Sequence, residues 1–421
     1  MSQHHPTPAE TAGRRERLAD STRELLAFDT QNPPGETAEL LGWLEDRLEA
    51  WGVDTEWIEP VDDKPNLVAT IPGDSEWTLL YQGHVDTVPY EREAWNYDPL
   101  GERVDDRIYG RGSTDMKGAV AAMIETLRQF ATTDERPPIT LQFAFVSDEE
   151  TGGEAGIDAV LAADAISADA AVVGETTASA DRYSVAVADK GRIWLTIEAT
   201  GQAAHGSRPM CGTNAVDRLY EEIADCRESI SASRLSYPEP VERIVEETVD
   251  YYNASPDDTP LASRELFAYP TVNLGQLDGG STVNSVPGTA TAKVDVRVTP
   301  GASTEAVFER IDTCLGAKSD ISITAVSMEE GTYTDPDDPF VETVAAAGRE
   351  VGDQRVFRQC ATGGGDVKKL RAAGIPAVEA AVGSDTAHGT DEYISIDALE
   401  STAEWYRRLP ALLADASLSL H

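Results

Sequence analysis

Hydrophobic positions along the chain follow two successive rhythms. Leu40, Leu41, Leu44 and Leu48 recur at helical spacing ahead of Gly52, which predicts a helix over 36–51 stopped by the glycine. Another helix is expected over 14–28. Apolar runs at 66–71 and 77–82 predict short strands, and Ala119, Val120, Met123, Ile124 and Leu127 mark one side of a helix over 117–131. A strand over 139–147, a helix near 154–163 and a strand over 170–174 follow. Strands that are nearly continuous in apolar residues and alternate with helices indicate a largely parallel sheet covered on both faces. The fold class expected is therefore α/β.

The rhythm changes near residue 190. Segments 192–200 and 290–298 alternate as strands with one wet face, while 215–227 reads as a helix. A helix over 303–315 with Ser303 as N-cap and a strand over 321–327 complete a β-α-β-β-α-β-like run, which suits a smaller ferredoxin-like α+β domain. Within it, 231–269 is acidic and poor in apolar residues and reads as an insertion. From 338 onward the α/β character returns, with a helix over 338–348, a strand over 377–382 and a last helix from Asp397. The expected organisation is a discontinuous domain of residues 1–189 and 330–421, interrupted by a second domain of residues 190–329.

Charge adds a different kind of information. The 421 residues carry 75 Asp and Glu against 34 Lys and Arg, a formal net charge of −41, and the hydrophobic share of 41% is that of a globular chain. Only 7 of the 34 cations are lysines, so acids stand where solvated lysines would ordinarily be. Such a charge repels itself in dilute salt. At about 1 M salt the Debye length is roughly 3 Å and the repulsion is screened, so the composition points to a halophile's cytoplasm. Nucleic acid and anionic membranes both require a positive face and are poor partners. Cys211, Cys226, Cys314 and Cys360 form no CxxC pair and are expected to be reduced, buried and inert. Neither an apolar leader nor a run of 18 apolar residues occurs, so a cytoplasmic protein is expected.

Six histidines are present, and His4, His5 and His421 lie in terminal segments expected to be solvated. His84, His205 and His388 each sit in a turn rich in Gly and acids beside a predicted strand end. In the segment ending Gly83-His84-Val85-Asp86, strand periodicity puts His84 and Asp86 on one side. Asp86 can then accept from one imidazole nitrogen while the other binds a metal. Asp115, just before the 117–131 helix, is either its cap or a ligand able to bridge two ions. The Gly110 and Gly112 pair beside it lacks the third glycine and long strand of a dinucleotide loop. Asp148-Glu149-Glu150 follows an apolar strand; it is either a solvated turn or a place where one glutamate holds a metal and its neighbour takes a proton from water. Glu175 and His388 also follow strands directly. One His and one or two carboxylates per ion, with a shared Asp, matches a hydrolase site with two metals. Zn²⁺ suits the mixed N/O set, as do Co²⁺ and Mn²⁺. No GxSxG elbow or cysteine nucleophile competes.

At these residues the chain resembles the M20 family of metallopeptidases and deacylases. The ordered motifs are 83–89, 110–118, 148–153, Gly174-Glu175, 204–209, 279–287, 295–297 and His388. The resemblance implies that His84 and Glu175 hold one ion, Glu150 and His388 the other, and that Asp115 bridges them. It makes Asp86 the group that orients His84, and Glu149 the general base and acid. It makes the small domain a lid and homodimer contact, with His205 polarising the scissile carbonyl in the partner's site. Asn284, Arg297 and Gly364 correspond to positions that bind a small carboxylate-bearing substrate; Arg297 is otherwise a strand residue pairing with Asp295. The 362–368 loop has Lys368 where many relatives carry Arg, and Glu175 is followed by Thr176 where Pro is common. The expected reaction is hydrolysis of the amide of a small N-acyl amino acid. A carboxypeptidase or dipeptidase is the alternative, and an inactive binding protein on the same fold the remote one.

Overall fold

The computed structural model describes residues 8–133, 136–254, 263–316 and 320–418, so His4, His5 and His421 lie outside the described residues. The chain forms two compact units, one of Met1–Val187, Thr334–Arg358 and Gly365–His421, the other of Ala188–Tyr333 and Gln359–Gly364. The short Gln359–Gly364 segment, expected with the first domain, joins the second unit through backbone bonds. Lys190 N–H donates to the Ala361 carbonyl, and Cys360 N–H donates to Thr248 Oγ1 at 2.9 Å.

In the first unit the sheet runs Asp54–Ile58, Asn66–Ile71, Thr140–Val146, Thr78–His84, Ala170–Val173, Ala377–Glu379 and Tyr183–Asp189. Thr140–Val146, Thr78–His84, Ala170–Val173 and Ala377–Glu379 are mutually parallel, and the flanking pairings are antiparallel. The parallel centre is buried on both faces, which explains its unbroken apolar runs. Along Thr78–His84, Leu80 faces Ile157, Val367 and Leu370, whereas Tyr81 turns the other way, packs against Tyr406 and donates its hydroxyl to the Tyr406 carbonyl. Helices therefore cover both faces. Of these seven strands, two escaped the sequence pattern: Asp54–Ile58 is a polar edge, and Tyr183–Asp189 lies beside a change of unit.

The second unit is a four-stranded antiparallel sheet in the order Thr271–Gly279, Thr289–Val298, Gly191–Thr200, Ile321–Glu329. Leu219, Ile223, Cys226 and Ile230 of the Ala215–Ser231 helix, with Val307, Ile311 and Leu315 of Thr304–Leu315, cover its inner face. Ser303 caps the latter helix by accepting from Ala306 N–H. The apparently apolar-poor 231–269 stretch contains the Glu239–Asn253 helix, whose Val241, Ile244, Val245, Thr248 and Tyr251 are buried at helical spacing. Its many acids hid that stripe from a reading by composition.

All four cysteines are free, but Cys211 is exposed and Cys314 half-buried, so only Cys226 and Cys360 match the expected buried thiol. Among the described residues, no helix is long and apolar enough to cross a membrane.

Candidate metal centre

Parallel strands put their carboxyl ends at one edge of a sheet, where open α/β folds bind ligands. Here His84 is in register with Val146, and Gln82 with Val173, so the residues following three adjacent strands converge there. His84 ends the central strand and is 1% exposed. Its Nδ1 lies 3.0 Å from the Asp86 carbonyl oxygen, which can only accept, so Nδ1 carries the proton. Nε2 faces Asp115 Oδ1 and Glu175 Oε1, each at 3.2 Å.

Asp115 does not cap the Lys117–Ala131 helix, whose cap position is Met116. Its Oδ1 faces His84, while Oδ2 stands 3.0 Å from His388 Nε2, so one carboxylate spans two imidazoles. Glu150 Oε2 lies 3.4 Å from the same His388 nitrogen. Three overlapping sets follow, each with ligand atoms within 4.8 Å of one another: His84, Asp115 and Glu175; Asp115, Glu150 and His388; and His84, Glu149 and Glu150.

Asp148 is buried rather than solvated, and the turn it opens is organised by Asp86. The two Asp86 carboxylate oxygens accept from Glu149 N–H and Glu150 N–H, both at 3.2 Å, whereas the Asp86 carboxylate is 3.5 Å from His84 Nδ1. Asp86 thus orients His84 through its carbonyl and the two glutamates through its carboxylate. Asn32, which the sequence reading passed over, donates to Asp86 at 2.9 Å and to Asp148 at 3.1 Å. Lys64 also pairs with Asp148.

Among the described residues, no lysine or arginine pairs with Asp115, Glu149, Glu150 or Glu175, and the close cations are the two imidazoles. Burial would push His84 down, but the hydrogen bonds it donates to Asp115, Asp86 and Glu175 hold it well above the ordinary histidine range. Bonds to Asp115 and Glu150 raise His388 to about 10. Burial holds Glu149 well above the carboxylate range, against the pull of His84 and with help from Asp366. Asp366, also unanticipated, is itself pushed up to about 7 by burial and accepts from Gln82 Nε2 at 2.7 Å. Carboxylates crowded together with only two imidazoles against them are a cluster short of positive charge, and a divalent cation supplies it. The mixed N/O donor set fits such a cation.

The other predicted residues belong to the second unit. His205 pairs with Ser285 on a short two-stranded ladder next to Asn284, and both His205 and Asn284 are exposed. His205 Nδ1 accepts from Ser207 N–H at 3.2 Å, so the neutral ring carries its proton on Nε2. Arg297 Nε pairs with Asp295 Oδ1 at 2.9 Å, and Gly364 is exposed.

Comparison with known proteins agrees with this picture. The family model for peptidase family M20/M25/M40 matches residues 80–411. Pig (Sus scrofa) aminoacylase-1 is 28% identical over 369 residues, covering 85% of this chain and 84% of that protein. Acetylornithine deacetylase of Proteus mirabilis (strain HI4320) is 28% identical over 395 residues, covering 91% and 92%. The M20 family metallo-carboxypeptidase Sso-CP2 from Sulfolobus solfataricus superposes with a TM-score of 0.79 at 20% identity, covering 94% of this chain and 99% of that one. The fold and family together define a metallohydrolase. The chain belongs to peptidase family M20/M25/M40.

Proposed function

We propose that the protein hydrolyses the amide bond of a small N-acyl amino acid, using two divalent cations and Glu149 as the general base. The observation that carries this reading is the Asp115 carboxylate spanning His84 and His388, with Glu175 on one side, Glu150 on the other and Glu149 beside them. His84, Glu175 and Asp115 would hold one ion, Asp115, Glu150 and His388 the other; Zn²⁺ suits the set best. Bound there, the ions lower the pKa of a water and polarise a carbonyl oxygen.

Glu149 takes the proton from the attacking water and passes it to the departing amine, a role worth roughly 10²–10⁴-fold. Asp86 keeps that carboxylate in place by holding its backbone N–H. His205, with its proton on Nε2, is suited to donate to the developing oxyanion, and Asn284, Arg297 and Gly364 to hold a substrate carboxylate. We assign the second unit the part of lid and homodimer contact. The two curated relatives support a deacylase over a peptidase. The surplus of acids over lysines supports a cytoplasm rich in salt.

The test is a panel of N-acetyl-ornithine, N-succinyl-diaminopimelate, other N-acyl amino acids and dipeptides, assayed at molar salt with Zn²⁺ or Co²⁺. Turnover of an N-acyl amino acid is expected, and hydrolysis of dipeptides alone would overturn the deacylase reading. Glu149→Ala is expected to lose about 10²–10⁴-fold in kcat with both ions retained. An empty site by metal analysis would make Glu149 a ligand instead.

A further inference from the structure

We propose that Glu392 and Arg111 form a positioning pair that ties Asp115 to His388 and so couples the two ion subsites. The inference rests on the assignment of two ions made above and adds two residues to it. Glu392 is buried and 0% exposed, yet it is four residues beyond His388 in a turn where none of residues 385–391 is buried. Its carboxylate is surrounded by donors from a single loop. Oε2 accepts from Arg111 Nη1 at 2.5 Å and Gly112 N–H at 3.1 Å, and Oε1 accepts from Thr114 N–H at 2.9 Å and Asp115 N–H at 3.1 Å. The Glu392 carbonyl accepts from Gly110 N–H at 2.9 Å. One residue therefore holds the backbone amides of Gly110, Gly112, Thr114 and Asp115, the last belonging to the residue that faces both histidines.

Arg111 closes the link. While Nη1 pairs with Glu392, Nη2 donates to the His388 carbonyl at 3.3 Å, and the guanidinium lies 5.3 Å from the Trp95 ring centroid. The planar fork is what permits two simultaneous partners in that turn, tying it to the 110–115 loop. The turn is pinned from outside as well, because Asp391 accepts from Asn96 N–H at 2.8 Å and Asn96 Nδ2 at 2.6 Å. His388 has φ of 61°, a left-handed conformation that a residue with a side chain holds only when its surroundings impose it. The Arg111 bond to its carbonyl is one such restraint. The pair acts through the placement of Asp115 and His388.

Arg111→Lys keeps the charge beside Glu392 but loses the second arm, and Glu392→Gln keeps the shape but turns an amide NH₂ toward Arg111 and Gly112 N–H. Metal-free wild type and both variants would be titrated with Co²⁺, followed by calorimetry and by the visible Co²⁺ absorption, with a thermal melt in chelator as the folding control. The expected result is two ions in wild type. In each variant the ion assigned to Asp115, Glu150 and His388, two of whose ligands lose their tie, binds about 10–100-fold more weakly with an altered spectrum, the usual cost of losing a group that orients ligands, and the other ion is weakened less. Variants that bind both ions as wild type does would overturn the pair's role while leaving the two-ion reading intact. Equal weakening of both ions with a lowered melting temperature would overturn it in favour of a merely structural pair. A single ion in wild type would overturn the two-ion reading itself and the coupling with it.

Discussion

The first unit contains two populations of sheltered carboxylates. Glu125 is gripped by Arg17 and Arg128, Glu400 by Arg14 and Arg15, and Glu404 by Arg14, Arg407 and Arg408. Among the described residues Asp115, Glu149, Glu150 and Glu175 have no such partner, and Asp115, Glu150 and Glu175 lean on two imidazoles. In a chain of net charge −41, a carboxylate on its own says almost nothing. What distinguishes the two groups is the counter-charge. Where guanidinium groups supply it, the acid serves the fold, and where folding leaves it unsupplied, the site is built for a cation from solution.

The comparison breaks most clearly at Asp115. Asp115→Asn relieves like-charge crowding but also removes the carboxylate that lies against both imidazoles, so the two effects offset and the metal-free variant should melt close to wild type. Turnover should fall by more than about 100-fold, the upper range for losing even a group that only orients ligands. Destabilisation of the metal-free variant, read by calorimetry in chelator, would place Asp115 with the structural acids. Stability kept while function is lost is what sets a working group apart from a structural one.

Asn32→Ala probes the boundary between the groups. Asp86 and Asp148 are buried, and Asn32 supplies a neutral donor to both. Losing it leaves two buried acceptors short of a partner, at about 1–3 kcal/mol. Chemical denaturation of the metal-free protein should show that loss. A change below about 0.5 kcal/mol would mean that Lys64 and the backbone amides suffice.

How far the chain could be read in advance follows the same division. His84, Glu149, Glu150 and Glu175 were legible because a parallel sheet delivers whatever follows its strands to one edge, and those strands announced themselves as apolar runs; Asp115 and His388 were picked out by their Gly- and acid-rich turns. Glu392 stood in a segment already under attention, but an acid in a Gly- and Asp-rich turn looks solvated until the loop that wraps it is seen. Asn32 and Asp366 come from distant segments, and no local pattern marks them. The Glu239–Asn253 helix was hidden by its own acids, since composition weighs the wet face and periodicity the dry one. His205, Asn284, Arg297 and Gly364 were named from resemblance, and their chemistry is that of a unit distinct from the one holding the carboxylate cluster.

The smallest effect is expected at Glu404, on the structural side. Burial alone would raise its carboxyl, but Arg407, Arg408 and Arg14 outweigh burial and hold it at about 2, against an ordinary 4.5. A depressed folded pKa stabilises the native state above the unfolded value and loses that contribution as pH falls toward the folded one. The Glu404 contribution is therefore complete above about pH 4.5 and vanishes by about pH 2. Its worth is about 1–2 kcal/mol after allowance for partial exposure and salt. Glu404→Gln should lower stability by that amount at pH 7, leave turnover and ion uptake unchanged, and converge on wild type as the pH approaches 2. Stability curves that stay parallel through the acid limb would show that the arginines hold Glu404 equally well in its protonated form. In that case the counter-charge would not be what separates the two populations.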